Sequence, residues 1–91
     1  MEMQQLFSNN HYKVMEVSLN PNESMPQHKA TSDAFIIVKE GIGKIIFDDR
    51  EVALLQGTTL LIPANKQHKL QVADKFIACI IFASQSEIVF A

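Results

Sequence analysis

Short β-rich runs of apolar residues alternate along the chain with turn-forming residues, and no long stretch has helical periodicity. A hairpin is predicted over residues 43–54, turning at Asp48 and Asp49, because aspartate tolerates turn conformations. The predicted strand at residues 12–20 stops at Pro21, which cannot donate a hydrogen bond to a sheet. Further strands are predicted at residues 34–41, 58–63, 68–72, 76–82 and 87–91. The pattern therefore predicts an all-β sandwich or barrel.

The two ends of the chain lead to separate predictions. One short helical turn is predicted over residues 2–7, with Leu6 and Phe7 as its apolar anchors. Residues 87–91 are apolar almost to the last position, and a free strand of this kind would be a sticky edge. We expect this segment to lie along an edge strand or across a dimer interface. The alternative is a tail that folds onto its own sheet.

Several predicted strands are apolar at nearly every position instead of every second one. A strand with one buried face should alternate between apolar and polar side chains. Both faces of these strands must therefore be covered, one inside a small barrel and the other by a second sheet or another subunit. The runs concerned are Phe35–Val38, Ile45–Phe47, Leu60–Ile62 and Phe76–Phe82.

The composition supports one small domain that covers residues 1–91 and associates with another chain. A chain of 91 residues leaves room for one core, and Cys79 is the only cysteine, so no intrachain disulfide can reinforce it. Hydrophobic residues nevertheless make up 47% of the sequence. This is high for so small a domain, and we expect apolar surface to be covered by a partner. A homodimer is the predicted assembly.

Charge and hydropathy exclude several classes of partner. The net charge is −2 and no basic stripe exists to contact phosphates, so no nucleic-acid binding is predicted. No apolar run approaches the roughly 20 residues that a membrane helix requires. The first residues have neither the basic region nor the apolar region of a signal peptide. An unpaired cysteine is typical of a reducing compartment, so a cytoplasmic protein is predicted.

The stretch from Gly57 to Val72 carries a recognisable spacing of glycine, proline and histidine. Gly57 is followed by Pro63 after five residues, and His68 comes five residues later. The spacing resembles the second motif of the small single-domain cupins, which are jelly-roll β-barrels. Asn65 stands where that motif has its second glycine, and Val72 replaces its final asparagine. Asparagine is the natural substitute for glycine where φ is positive.

A second stretch, residues 22–41, resembles the first cupin motif in length but departs from it in chemistry. Counting back from Gly41 places the motif's glutamate at Ala34 and its two histidines at Ala30 and His28. The leading glycine falls on Asn22. The resemblance implies a double-stranded β-helix, or jelly-roll barrel, across most of the chain.

The resemblance also implies where a metal would bind. In metal-binding cupins, three histidines and one glutamate converge inside the barrel on a divalent transition metal. Here His28 and His68 remain, whereas Ala30 and Ala34 have no donor atom. Catalytic metal sites usually have three protein ligands, so we expect a degenerate site with no resident metal. Any metal that does bind would use these two histidines.

Two other residues are candidates for a third metal ligand. Asp33 is next to the lost glutamate position, but successive side chains of a strand face opposite ways, so it should point out of the cup. A bulge would reverse this orientation. Cys79 lies in an apolar strand and is a good soft ligand, although a small buried hydrophobe is the commoner role.

Three functions follow as hypotheses, with no catalytic residue assigned to any of them. The first is binding of a small acid or another small polar-ended molecule in the cup, with polar contacts from His28 and His68. The second is a metal-dependent dioxygenase, isomerase or decarboxylase with an unexpected third ligand, and the third is an interaction module that acts through its dimer sheet. Thr31 and Ser32 either bond to local backbone or contact a ligand. The expected cup residues are Met25, at the mouth, and Ile36, Val38, Ile45, Phe47, Leu60 and Ile62.

Overall fold

The computed structural model describes all 91 residues, which form ten β-strands and no helix. It contains no helix long and apolar enough to cross a membrane. The predicted hairpin and the six other predicted strands are all present. The strands are β1 (Glu2–Ser8), β2 (Tyr12–Leu19), β3 (Ser24–Ala30), β4 (Ala34–Glu40), β5 (Ile42–Ile46), β6 (Glu51–Leu55), β7 (Thr59–Ile62), β8 (His68–Val72), β9 (Phe76–Ala83) and β10 (Ile88–Phe90).

The strands form two five-stranded antiparallel sheets that enclose one core. The first sheet has the order β1-β2-β9-β4-β7, and we call it sheet A. The second, sheet B, has the order β10-β3-β8-β5-β6. Sixteen buried apolar residues fill the space between them, because each inner face must be covered by the other sheet. The largest of these with almost no exposed surface are Phe76, Leu19, Ile45, Leu54, Val17 and Val38.

The predicted N-terminal helical turn is wrong, because these residues form strand β1 at the edge of sheet A. β1 pairs antiparallel with β2, and the register shifts between Gln5 and Phe7, leaving Leu6 as the extra residue of a bulge. A lone helical turn would satisfy few backbone groups, whereas a neighbouring strand offers a full ladder. The sequence pattern did not indicate a strand here because most of its side chains are exposed on both faces of the sheet.

Strand β3 was not predicted, although it carries one of the two candidate histidines. Its sequence contains Pro26, which removes a donor from the ladder. The structure accommodates the proline in a register shift between Met25 and His28. Only Met25, His28 and Ala30 of this strand are buried, so the apolar alternation that identifies a strand is weak.

The glycine positions of the two motifs are the positions where the backbone needs a positive φ. Gly41 has φ +94° and Gly57 has φ +86°. Asn22 and Asn65, which replace motif glycines, have φ 67° and 64°. No other residue has a positive φ. The two asparagines thus retain the left-handed turns, as predicted for Asn65.

The C-terminal segment folds onto its own sheet. β10 pairs with β3 at the edge of sheet B, with Val89 opposite Lys29 and Phe90 opposite His28. The structure therefore shows the alternative, a tail that folds onto its own sheet and forms its edge strand. Its position places Ile88 in the wall of the space between the sheets and the ring of Phe90 beside that of His28.

Candidate functional site

A recess lies between the inner faces of the two sheets and opens at one end, and we call it the cup. Its volume is about 480 Å³ including the open mouth, and its inner part has room for only about three water molecules. Ten of its twelve lining residues are hydrophobic; the lining is Met25, His28, Ala30, Ala34, Ile36, Ile45, Ile62, His68, Leu70, Ile80, Phe82 and Ile88.

The two polar side chains of the cup come from adjacent strands and lie side by side. His28 of β3 and His68 of β8 are direct partners in the register of sheet B. Their ring centroids lie 4.3 Å apart with an interplanar angle of 61°. Both residues are buried, with 7% and 6% of their surface exposed. The pair therefore forms one polar spot in an otherwise apolar wall.

Hydrogen bonds to the backbone fix which nitrogen of each ring carries the proton. Nδ1 of His28 lies 2.7 Å from the carbonyl oxygen of Pro26, and Nδ1 of His68 lies 2.9 Å from that of Lys66. A carbonyl oxygen can only accept, so each Nδ1 must donate and each neutral ring leaves its Nε2 as an acceptor. No protein group bonds to either Nε2. Every fully buried side-chain nitrogen of the protein has a hydrogen-bond partner. The two Nε2 atoms have none, so both must be in contact with open space.

The surroundings favour the neutral form of both rings. Burial lowers the pKa of His28 and of His68 below the ordinary value of 6.5, because removal from water disfavours the charged form. The backbone hydrogen bonds oppose this effect on the pKa, and the nearby His28 lowers the pKa of His68 further. At neutral pH the pair thus presents two lone pairs and no charge.

The four positions at which the resemblance to the cupins implies metal ligands all line the cup, but only two carry donor atoms. His28, His68, Ala30 and Ala34 appear together in its wall. No group of three or more His, Cys, Asp or Glu side chains in the protein is arranged to hold a metal ion. Two imidazoles fall short of the three ligands usual in a catalytic site, so this donor set does not fit the divalent metal that the resemblance implies.

Neither candidate third ligand lies in the cup. The Asp33 side chain is exposed, and its Oδ1 accepts a hydrogen bond from the backbone N–H of Ala64 at 2.8 Å. Cys79 lies between Ala78 and Ile80 of β9, whose side chains face the core and the cup, so Cys79 faces outward. The strand parity that argued against Asp33 is correct.

The structure also separates the cup lining from the core behind it. Met25, Ile36, Ile45 and Ile62 line the cup, as the sequence predicts for their positions. Of the other predicted cup residues, Phe47 does not line the cup. Its ring packs near that of His68, with 5.9 Å between the two centroids. The remaining two, Val38 and Leu60, pack in or against the core.

One aromatic residue near the histidines was not predicted as part of the site. The ring of Phe90 in β10 lies 5.5 Å from that of His28, centroid to centroid, and half of its surface is exposed. Its position beside His28 depends on the pairing of β10 with β3, which links distant parts of the chain. The only local signal was an aromatic residue in the apolar C-terminal run.

The hydroxyl groups of Thr31 and Ser32 form hydrogen bonds with backbone groups of the protein. Thr31 Oγ1 accepts a hydrogen bond from the backbone N–H of Glu87, and Ser32 Oγ accepts one from that of Ala83. Ser32 Oγ also donates to the carbonyl oxygen of Asp33. These bonds join the turn after β3 to β9 and to the segment before β10. Only the bond from Ser32 to Asp33 is local, so the predicted local bonding is correct for Ser32 in part and wrong for Thr31.

Solved structures of similar fold come from several bacteria. A cupin superfamily protein of Desulfitobacterium hafniense DCB-2 is 22% identical, has a TM-score of 0.83, and the match covers 90% of this chain and 75% of that chain. A cupin-2 domain protein of Shewanella frigidimarina is 25% identical, with a TM-score of 0.78 and coverage of 88% and 78%. The polyketide cyclase RemF of Streptomyces resistomycificus is 17% identical, with a TM-score of 0.86 and coverage of 98% and 69%.

The match to a protein-family model is based on sequence. The model for the cupin domain matches residues 15–83, which is well over half of the chain. No curated protein sequence matches. The matched range contains both motif stretches and both cup histidines, and the two-sheet barrel agrees with the similar structures. The chain therefore belongs to the cupin domain family.

Proposed function

We propose that the protein binds a small, mainly apolar molecule in the cup and accepts a hydrogen bond from it through the histidine pair. The observation that carries the proposal is the pair of Nε2 atoms that have no protein partner at an otherwise apolar recess. A few convergent polar groups in an apolar cavity are typical of a small-molecule site. Cytoplasmic location and a non-catalytic role remain our predictions.

The chemistry of the pair restricts the ligand to a neutral hydrogen-bond donor. Two neutral acceptor nitrogens attract an alcohol or phenol hydroxyl, whereas they repel the lone pairs of a carboxylate. An ammonium group would enter an apolar cavity without a counter-charge, which is unfavourable. The limited inner volume favours a molecule of about one ring. A single-ring phenol is therefore the simplest probe.

We expect phenol to bind about fivefold more tightly than anisole at pH 7.5, since anisole has the same ring without the donor and one hydrogen bond contributes roughly 1 kcal/mol. Benzoate should bind more weakly than phenol at this pH. Nitrogen NMR of the imidazoles measures both affinity and contact, because phenol should shift the Nε2 resonances of His28 and His68. His68→Ala should remove the preference for phenol, and His11→Ala, in an exposed turn, should keep it. Equal affinity for phenol and anisole would contradict the proposal.

The metal-dependent alternative is tested on the same protein without a histidine tag. Both imidazoles donate Nδ1–H to a carbonyl, which is also how metal-bound histidines are oriented. From the ligand count we expect no stoichiometric iron, manganese, nickel or zinc in elemental analysis. Stoichiometric metal that is lost in His68→Ala would favour the metal-dependent enzyme over the binding protein.

A further inference from the structure

A second recess lies outside the cup, between the inner face of strands β1 and β2 and residues Ser86–Ile88, and we call it the groove. Its volume is about 780 Å³ including the part open to solvent, which is large enough for a small organic molecule. Phe82 and Ile88 line both the groove and the cup, so these two side chains form the wall between them. The groove is therefore a separate space beside the cup.

Strand β2 places a lysine on the inner face of sheet A. Val17 of this strand is fully buried in the core, and every second side chain of a strand lies on the same face, so Met15 and Lys13 also point inward. Lys13 is the direct partner of Phe82 in the register with β9. Inner positions of a sheet normally carry apolar side chains, because lysine is rarely buried without a partner. A lysine in this position therefore requires polar contacts inside the groove.

The protein supplies only one of those contacts. Nζ of Lys13 donates a hydrogen bond to the carbonyl oxygen of Ser86 at 2.8 Å and lies 5.1 Å from the centre of the Phe82 ring. No carboxylate oxygen lies within 4.0 Å of this nitrogen. An ammonium group has three N–H donors, so two of them are free. The groove thus contains a half-buried positive charge without a counter-charge from the chain.

The groove wall beyond Lys13 is apolar. Met3 of β1 and Met15 of β2 are partly buried against the core, and Ile88 lines the groove from β10. Met3 is opposite Val17, which is four residues from Lys13 along β2, so the apolar wall extends roughly 13 Å from the lysine. Methionine side chains are flexible and adapt to ligands of different shapes. These walls fit a molecule with a negative group at one end and an apolar chain.

One acidic residue limits the charge that such a molecule can carry. Glu87 also lines the groove, but its side chain is exposed and forms no ion pair with Lys13. A second negative group on the ligand would therefore meet a like charge, whereas a single one can bind to Lys13. The two oxygens of a carboxylate match the two free N–H donors of the ammonium group. The charges of the groove thus favour a monocarboxylate.

We propose that the groove binds a monocarboxylic acid with an apolar chain, whose carboxylate pairs with Lys13 and whose chain lies along Met15 and Met3. This site is independent of the proposed function of the cup, which selects a neutral hydrogen-bond donor. The two sites share only the wall formed by Phe82 and Ile88. Octanoate is the probe, and octan-1-ol is the matched probe with the same chain length and no charge.

The methionine methyl groups report on both sites in one NMR titration. In protein labelled with ¹³C at these methyls, octanoate at pH 7.5 should shift the signals of Met3 and Met15. The signals of Met25 in the cup and of Met1 outside both recesses should stay unchanged. Octanoate should bind at least about fivefold more tightly than octan-1-ol, because charge-assisted hydrogen bonds are stronger than neutral ones. This preference should decrease as the salt concentration rises.

Two substitutions of opposite effect test the charge. Lys13→Met keeps an apolar side chain of similar length and removes the charge, so octanoate should lose its preference over octan-1-ol. Glu87→Gln removes the neighbouring negative charge and should raise the affinity for octanoate about twofold, without a change for octan-1-ol. Lys69→Met is the matched control, because Lys69 is exposed, alternates with buried His68 and Leu70, and lies on the outer face of sheet B.

Three results would overturn the proposal. These are unshifted Met3 and Met15 signals with octanoate up to about 10 mM, equal affinities of the wild type for the two probes, and a preference for octanoate that persists in Lys13→Met. If Lys13→Met does not fold by circular dichroism, Glu87→Gln decides, and an unchanged affinity for octanoate in that variant contradicts the proposal. Phenol shifts of the cup histidines, measured without octanoate, test the cup separately.

Discussion

Replacing Gly41 with alanine is expected to lower the free energy of unfolding by at least about 3 kcal/mol. This residue is the single link between β4 of sheet A and β5 of sheet B. Its φ of +94° is strained for any residue with a side chain. A Cβ atom would lie 2.1 Å from the carbonyl oxygen of Lys75 and 2.9 Å from Cα of Phe76. Backbone atoms cannot rotate away, so the two chain segments must separate.

Thermal unfolding measures this effect against a close control. For a domain of this size, a loss of 3 kcal/mol corresponds to a drop in Tm of about 12–24 °C. Gly57→Ala is the control, because φ there is +86° but no atom lies within 4 Å of the added Cβ. Its free energy of unfolding should fall by about 1–2 kcal/mol, from the backbone strain alone. If the two variants lost equal stability, close packing at Gly41 would not be the reason.

Acid is expected to destabilise the fold through the histidine pair. The pKa of each ring is lower in the folded protein than in the unfolded chain, mainly because of burial. Between those pKa values the unfolded chain binds more protons, so stability is complete above about pH 6.5 and is lost as the pH falls. The loss is at most about 1.4 kcal/mol per pH unit for each histidine, or about 2.7 for both.

Urea unfolding at pH 7.5, 6.5 and 5.5 isolates this contribution. Carboxylates also titrate at the lower end, but they do so equally in the wild type and in the double variant His28→Gln/His68→Gln. The double variant should lose clearly less stability with acid than the wild type. His11→Gln, in the exposed β1–β2 turn, should follow the wild type. A stability difference between wild type and double variant that is independent of pH would contradict the prediction.

Local patterns in the sequence predicted most of the barrel. The strands that carry the core have dense apolar runs, and their ends are set by proline, glycine and asparagine. The spacing of those turn residues also predicted the positive φ of Asn65. It also placed His28 and His68 in the same recess. These features were predictable because turn conformation and side-chain alternation depend on neighbouring residues.

The chemistry of the candidate site was only partly predictable, because it also depends on the path of the backbone around each ring. The sequence showed that two donor atoms were missing at Ala30 and Ala34, and that remains true of the folded site. It could not show that each Nδ1 donates to a carbonyl, since that depends on the path of the backbone on either side of each ring. The direction of the free lone pairs, and with it the class of ligand, follows from that bond.

The strands at or next to the sheet edges were the hardest to predict from the local sequence pattern. β1 and β3 have weak apolar alternation, so their conformation is decided by the strands that they pair with. The contact of Phe90 with His28 likewise depends on the pairing of β10 with β3. Backbone hydrogen bonding between strands is non-local, because any exposed edge can accept any extended segment.

The sequence by itself determined the all-β class, the principal strands, the left-handed turn at Asn65 and the two inward histidines. The tertiary structure decided the pairing of strands β1, β3 and β10 and the acceptor state of the Nε2 atoms. The physical reason is one of range. Side-chain alternation and φ preference are properties of a few consecutive residues, whereas strand register brings together residues from distant parts of the chain.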